Sequence, residues 1–473
     1  VKRSGIEKFR VIKQLPSLKE NSPLPLVGRN DDKKSNTMKK LFLIIAIITT
    51  AFSTRAQKVW TFDECVEYAM EHNVEILQSL VHQNNAEYQY KMTKKAWLPT
   101  VSADASQSFG FGQSPSAYGV YVSDNSSSTS FGISAGMPLF NGLSLYNQTK
   151  ANALSLDASK KDVEAVKYDL KLLIMSYYMQ VVYNKELKSI AEKQLALTEE
   201  QHAKTQQLYE LGKVAESNVY ESAAQVATAK STLVQADNAL MLSILDIVQA
   251  LELETVDGFD VETPDSLVYI DKHALPSQES TYNFALEHQP KMEAAYMRLE
   301  KTYYDVKATK SAWYPSLSLY AGYSTGYYNY FSSQRETLPF WDQFSNNGRT
   351  SFGIRLNVPI FNAMQTKYKV EMSKLSIDDQ ELAISKAKKE LRKTIQQEFY
   401  NAVAAEQKYK AADETYHAAQ LAYQFSSESY DAGKATLLEL NESKNRLFKS
   451  ESEMLQAKYE YMYRLKVLEF YNQ

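Results

Sequence analysis

The sequence predicts a mainly α chain with a small β part, built as two copies of one helix–strand–strand–helix unit. Three observations carry that prediction. Short motifs recur at constant spacing, four stretches alternate strictly between apolar and polar residues, and two long runs contain neither proline nor internal glycine.

The recurrence comes first, because internal repeats decide an architecture before any local pattern does. Lys95-Ala96-Trp97-Leu98-Pro99-Thr100 returns as Ser311-Ala312-Trp313-Tyr314-Pro315-Ser316, and Ala69-Met70-Glu71-His72 as Ala285-Leu286-Glu287-His288, both 216 residues on. Beyond a loop five residues longer in the second copy, the offset becomes 221: Pro138-Leu139-Phe140-Asn141 matches Pro359-Ile360-Phe361-Asn362. Tyr209, Gly212 and Lys213 match Tyr430, Gly433 and Lys434 at that same offset. The division that follows is an upstream segment and signal over 1–56, a first repeat over 57–256, a linker over 257–280 and a second repeat over 281–473.

The alternating stretches predict strands. Val101, Ala103, Ala105, Phe109 and Phe111 fall on one face, against Ser102, Asp104, Ser106 and Ser108. Phe131, Ile133, Ala135 and Met137 repeat the pattern, as do Leu317, Leu319, Ala321 and Tyr323, and then Phe352, Ile354, Leu356 and Val358. A period of two gives a strand one apolar and one polar face. A soluble sandwich shares this alternation but needs more strands to bury a core. Polar faces of mostly Ser and Gly suit a crowded, wet interior, and ~9–11 residues is the length of a tilted membrane-crossing strand. Since the smallest membrane barrels have about 8 strands, four cannot close one, and their open edges would require other chains. The Ser-, Asn- and Tyr-rich stretches 113–129 and 327–350 are expected to be exposed loops.

The unbroken runs from Gly142 to Leu211 and from Ala363 to Ala432 predict helices of roughly 100 Å at ~1.5 Å per residue. Each ends at a glycine, Gly212 or Gly433, that caps the helix and turns the chain back. The returning helix carries heptads. Val219, Val226, Leu233, Leu240 and Ile247 alternate with Ser222, Ala229, Ala236, Ser243 and Ala250. Leu440, Leu447, Met454, Tyr461 and Leu468 keep the register in the second copy. Large residues against small ones let antiparallel helices approach closely.

The N-terminal region contains an export pattern. Met38-Lys39-Lys40 is basic, Leu41 to Ile48 apolar, and Thr54-Arg55-Ala56 a small-residue cleavage site before Gln57. That apolar core is far shorter than the roughly 20 residues of a spanning helix. Lys+Arg 53 against Asp+Glu 56 gives no electrostatic case for nucleic acid. The lone Cys65 excludes a disulfide framework within the chain. There is no HExxH, GxSxG or Walker pattern, so neither an enzyme nor a cofactor or metal site is expected. His72 and His288, repeat partners, are expected to be structural.

With Trp60-Thr61-Phe62-Asp63-Glu64 at the mature start, the Trp-Leu-Pro and Trp-Tyr-Pro strand entries, and the glycine-turned tips, the chain from about Trp60 to Leu468 resembles the TolC family of outer-membrane efflux channels. The resemblance implies a homotrimer whose chains each give four strands to a 12-stranded transmembrane β-barrel, above a long coiled-coil α-barrel crossing the periplasm. It implies a passive exit duct for efflux or type I secretion, set in outer-membrane lipid. The duct would be opened when a periplasmic adaptor protein and an inner-membrane pump of RND or ABC type dock. By position after Gly433 it implies a periplasmic gate ring of Glu439 and Glu442. It also implies a latch between Tyr430 and Asn218, where the family usually has a carboxylate at the latter and a basic residue at the place of Ala435. The alternative is an exported trimeric scaffold or adhesin anchored by a small barrel. The bulk of this chain lies in two symmetric helical hairpins instead of one large outer domain, which favours the duct.

Overall fold

The structure, a computed structural model, describes residues 58–115, 118–123, 125–263, 275–331 and 337–472. The expected signal and upstream segment, and residues 264–274 of the expected linker, lie outside the described residues. From Val59 onward the chain forms one compact unit.

The first copy runs β1 (Lys58–Trp60), α1 (Phe62–His72), α2 (Val74–Lys95), β2 (Thr100–Gly110), a small hairpin of β3 (Gln113–Pro115) and β4 (Tyr121–Ser123), β5 (Ser126–Asn141), α3 (Ser144–Glu210) and α4 (Glu216–Ala250). After β6 (Phe259–Val261), the second copy runs α5 (Gln278–His288), α6 (Pro290–Lys310), β7 (Ser316–Tyr330), α7 (Phe340–Asn346), β8 (Arg349–Asn357), α8 (Gln365–Asp431) and α9 (Leu437–Tyr471). The duplication extends to helix length: α3 and α8 have 67 residues each, α4 and α9 have 35 each. It extends to side chains as well. His72 stacks on Tyr68 and His288 on Phe284, both with ring centroids 4.1 Å apart, and each Nδ1 bonds the carbonyl four residues back. The two histidines are thus held inside their own helices.

The four long strands form one antiparallel sheet in the order β2-β5-β7-β8. Its register sorts the faces as the alternation requires. Val101, Ala135, Ala321 and Phe352 lie in one row, while Ser102, Ser134, Gly322 and Ser351 lie in the next. Seryl pairs Ser102–Ser134 and Ser106–Ser130 bond at 2.9 and 2.7 Å on the polar face. The apolar face is bare: Val101, Phe352, Ile354 and Leu356 are all more than 60% exposed. Among the described residues, neither β2 nor β8 has a strand partner on its outer edge, so the sheet is not closed.

Two expectations about the loops need correction. The stretch 113–129 holds the β3–β4 hairpin and the start of β5, which is 16 residues long. The stretch 327–350 holds the end of β7 and the short helix α7. Period-two alternation fades where Tyr and Ser dominate, so strand ends there were not legible. Pro138 also sits within β5, tolerated by a register shift between Pro138 and Phe140.

Below the sheet, α4 packs along α3 and α9 along α8. The small heptad residues Ser222, Ala229, Ala236 and Ser243 are buried against the neighbouring helix, while Val219, Val226 and Leu233 are half-buried beside them. Composition alone would let α4 cross a membrane, with a mean hydropathy of 1.2 over its most apolar window. Its heptad seam instead assigns it to the helical hairpin. The main apolar core lies where α1 meets α3 and α4. There Ile174, Val181, Val182, Ile247 and Leu251 surround Tyr178, whose hydroxyl donates to the Glu262 carbonyl at 2.6 Å.

The turn from strand to long helix is made by consecutive left-handed residues in both copies: Gly142 and Leu143 (φ 62 and 68), then Ala363 and Met364 (φ 52 and 62). Only the first site excludes a side chain sterically, because a Cβ on Gly142 would meet the Ser311 carbonyl oxygen at 2.6 Å. Gly142→Ala is therefore expected to cost about 1–3 kcal/mol from backbone strain, besides that clash. Ala363→Gly should be neutral or stabilising, because it relieves the same strain. Thermal unfolding of both variants checks this pair of signs, and equal losses would refute the assignment.

Candidate functional site

The two hairpin tips are built alike. After α3, Gly212 at φ 68 lets its own N–H bond the Tyr209 carbonyl (2.8 Å) and the Lys213 N–H bond the Leu208 carbonyl (2.9 Å). After α8, Gly433 at φ 70 repeats the pair with Tyr430 (3.0 Å) and Ser429 (2.8 Å). This is the Schellman arrangement, which satisfies the last carbonyls of a helix and needs a residue free to adopt positive φ.

The tips differ in the next step. Helix α9 starts with a capping box: Thr436 Oγ1 accepts from the Glu439 N–H at 3.3 Å, and Glu439 Oε2 accepts from the Thr436 N–H at 2.9 Å. Helix α4 starts at Ala215, which has no side chain to cap with. Asn218 is the repeat partner of Glu439 and occupies the position the missing box would have used. The resemblance implies a charged ring for Glu439, and this local duty comes in addition to it. The spacing Thr436-x-x-Glu439 was the available signal.

Asn218 and Tyr430 line one cleft of about 640 Å³ between the tips, together with Lys204, Glu221, Asp431 and Gly433. The two latch candidates are thus brought to one place. The direct link across the tips, however, is an ion pair between Lys204 of α3 and Asp431 of α8. Both its side chains are about half exposed, so it contributes only ~0.2–1 kcal/mol. Glu439 and Glu442 are exposed and lie outside the cleft lining. Gly212 is also outside it.

One layer above the tips, α3 and α9 meet through buried polar residues. Thr198 and Thr205 of α3 and Asn441 and Lys444 of α9 are each at most 4% exposed. Lys444 Nζ donates to Thr198 Oγ1 at 3.3 Å, and the Asn441 and Gln201 amide nitrogens are buried without a hydrogen-bond partner among the described residues. Burial holds the Lys444 ammonium below the usual lysine range. Glu451, one heptad further along α9, is pushed up by burial, with Lys193 opposing. The heptad positions of α9 describe its contact within the hairpin, and Lys444 lies off them, on the side that meets α3. Among the described residues, no cluster of metal-ligating side chains occurs.

A four-stranded sheet with an uncovered apolar face, joined to paired helices ending in glycine-turned tips, is the build of an outer-membrane channel subunit. The sequence profile described as "Outer membrane efflux protein" matches residues 66–251 and 281–470, so the chain belongs to that family and its place is the outer membrane. It is 23% identical to the outer membrane efflux protein BepC of Brucella suis biovar 1, over 78% of this chain and 75% of that one. Its identity to the outer membrane protein TolC of Vibrio cholerae is 21%, over 90% and 93%. Among solved structures, the Campylobacter jejuni CmeC outer membrane channel superposes with a TM-score of 0.68 at 16% identity, covering 87% of this chain and 85% of that one.

The seam yields a pH test. The folded-state value of Lys444 lies below its unfolded one, so between the two the unfolded chain binds the extra proton and stability rises with pH. Lys444→Met should raise the melting temperature at neutral pH, and its advantage should shrink as pH climbs toward the ordinary lysine value. Thermal melts across that range check it. An advantage independent of pH would show that the lysine is not desolvated.

Proposed function

We propose that three copies of this chain assemble into a passive duct, joining their sheets into one 12-stranded barrel and their hairpins into a helical cylinder. The two repeats would each supply two strands and one tip. The supporting observation is the four-stranded sheet with both edges unpaired and its apolar face bare. In hydrocarbon such edges are untenable, because each unpaired backbone group costs several kcal/mol. Pairing β8 of one copy with β2 of the next removes every edge at once and leaves Ser and Gly toward the lumen. The duct serves efflux or type I secretion and opens when a periplasmic adaptor and an inner-membrane pump of RND or ABC type engage the tips.

At the entrance, Glu439 and Glu442 form two stacked carboxylate rings that favour cations. Tyr430 and Asn218 stand where a latch would form. With amide in place of carboxylate and Ala435 in place of a base, the Lys204–Asp431 pair takes over part of that task.

Native mass spectrometry of the detergent-purified protein should give three chains, and a stable monomer would reject the shared barrel. In planar bilayers, Glu439→Gln with Glu442→Gln should lower cation preference without loss of folding, because glutamine keeps the capping-box bond while removing the charge. Unchanged selectivity would reject the ring.

A further inference from the structure

The short helix α7 has no explanation in a barrel, a hairpin or a gate. It lies beyond the end of β8, beside the part of β7 that β8 does not reach, since the β7–β8 pairing stops at Ser324. Its side chains supply what a strand would have supplied. Gln343, 8% exposed, accepts from the Tyr328 N–H at 3.0 Å and donates to the Tyr328 carbonyl at 2.8 Å. Asn347 donates to the Gly326 carbonyl at 2.8 Å, and the Thr325 hydroxyl donates to the Phe344 carbonyl at 2.6 Å. An edge facing water needs no such service, because water satisfies it. An edge at the border of hydrocarbon does.

The contacts also place α7 on the apolar side of the sheet. Phe344 packs edge-on against Phe131 (5.7 Å), Phe340 against Tyr327 (5.3 Å), and Gly348 comes up against the Tyr323 ring. Phe131, Tyr323, Thr325 and Tyr327 all belong to the odd-numbered, apolar rows. Two large side chains are left largely open here, Trp341 in the helix, edge-on to Phe340 and Phe344, and Leu338 just before it: Trp341 is 75% and Leu338 58% exposed. Beneath them the bare band of Ile133, Tyr323, Phe352 and Ile354 continues along the sheet.

The height fits an interface. From Leu317 to Tyr327 the strand rises ~3.3 Å per residue, which at a tilt of ~40° is roughly 25 Å, the height of a barrel's apolar band. A tryptophan at such a border puts its ring among acyl carbons and its N–H among headgroups.

We propose that α7 is an interfacial anchor: it seals the upper edge of β7 and inserts Trp341 and Leu338 into the outer leaflet at the headgroup–acyl boundary. The partner is lipid, not a neighbouring chain, because the exposed side chains continue the lipid-facing rows. The inference rests on the sheet being the membrane wall, so the test separates the two.

The full-length protein is reconstituted in phosphatidylcholine vesicles carrying bromines either near the headgroup (6,7-dibromo) or deeper (11,12-dibromo). The emission lost on Trp341→Phe isolates the Trp341 signal. It should be quenched strongly by the shallow bromines and more weakly by the deep ones. In the Trp341→Phe background, Ile354→Trp adds a reporter in mid-band, expected to be quenched more by the deep bromines. A quenched Ile354→Trp with an unquenched Trp341 overturns the anchor and leaves the wall standing, as burial of α7 under a neighbouring subunit would. Quenching of neither reporter overturns both.

Discussion

Backbone amides cannot go unpaired in hydrocarbon, and most of what this chain does follows from that constraint. Each copy of the repeat provides only two long strands, and the fused pair only four, ordered β2-β5-β7-β8 with free edges at both ends. A soluble protein would cover such edges with charge, proline or a loop. Here Val101 and Phe352 stand bare beside them, 70% and 84% exposed. The sheet is therefore incomplete within one chain. The long helices inherit the same incompleteness. Their seam residues Val219, Val226 and Leu233 are only half-buried against the one partner that a single chain offers.

The same constraint explains the two ends of the strands. At the inner end, each copy must turn from a strand into a helix of 67 residues without leaving amides stranded, and both do so through two successive left-handed residues. The first copy uses glycine because Ser311 leaves no space for a Cβ, whereas the second, less crowded, bears the strain on Ala363 and Met364. At the outer end, β7 outruns β8, and Gln343 and Asn347 complete the hydrogen bonding that no strand provides.

What the sequence revealed and what it hid divide along physical lines. Period-two alternation made the four strands legible because one face meets an apolar medium and the other water. Gly212 and Gly433 were legible because a Schellman turn requires positive φ. Helix α7 was not legible. Its seven residues are too few for a period, and its aromatic residues read as loop composition until their contacts with Phe131 and Tyr327 were seen. Lys444 was hidden for a different reason. A lysine in a heptad of an exposed-looking helix reads as solvated, and only the approach of α3 across the copies buries it. The candidate tip residues were legible as positions but not as a geometry. Asn218 and Tyr430 do share a cleft, yet the ion pair spanning it joins Lys204 and Asp431, which no motif marks.

Duplication gave the two tips like backbone turns, and one difference between them lies at the helix starts. The capping box on Thr436 and Glu439 satisfies two amides at the first turn of α9, a gain of about 1 kcal/mol for the cap alone. Helix α4 opens on Ala215 without one. The second tip is thus the better-anchored end, and its Glu439 is held at a fixed place by the same bond that caps the helix. A side chain fixed in that way keeps little rotamer freedom of its own. Its carboxylate also lies in the first turn of α9, near the positive end of the helix dipole. In the first copy the corresponding residue, Asn218, is a neutral amide with no capping bond among the described residues, on the cleft that Tyr430 also lines. Divergence at one position of the repeat, glutamate in one copy and asparagine in the other, separates a fixed charge from an adaptable hydrogen-bonding group at the same height of the tips.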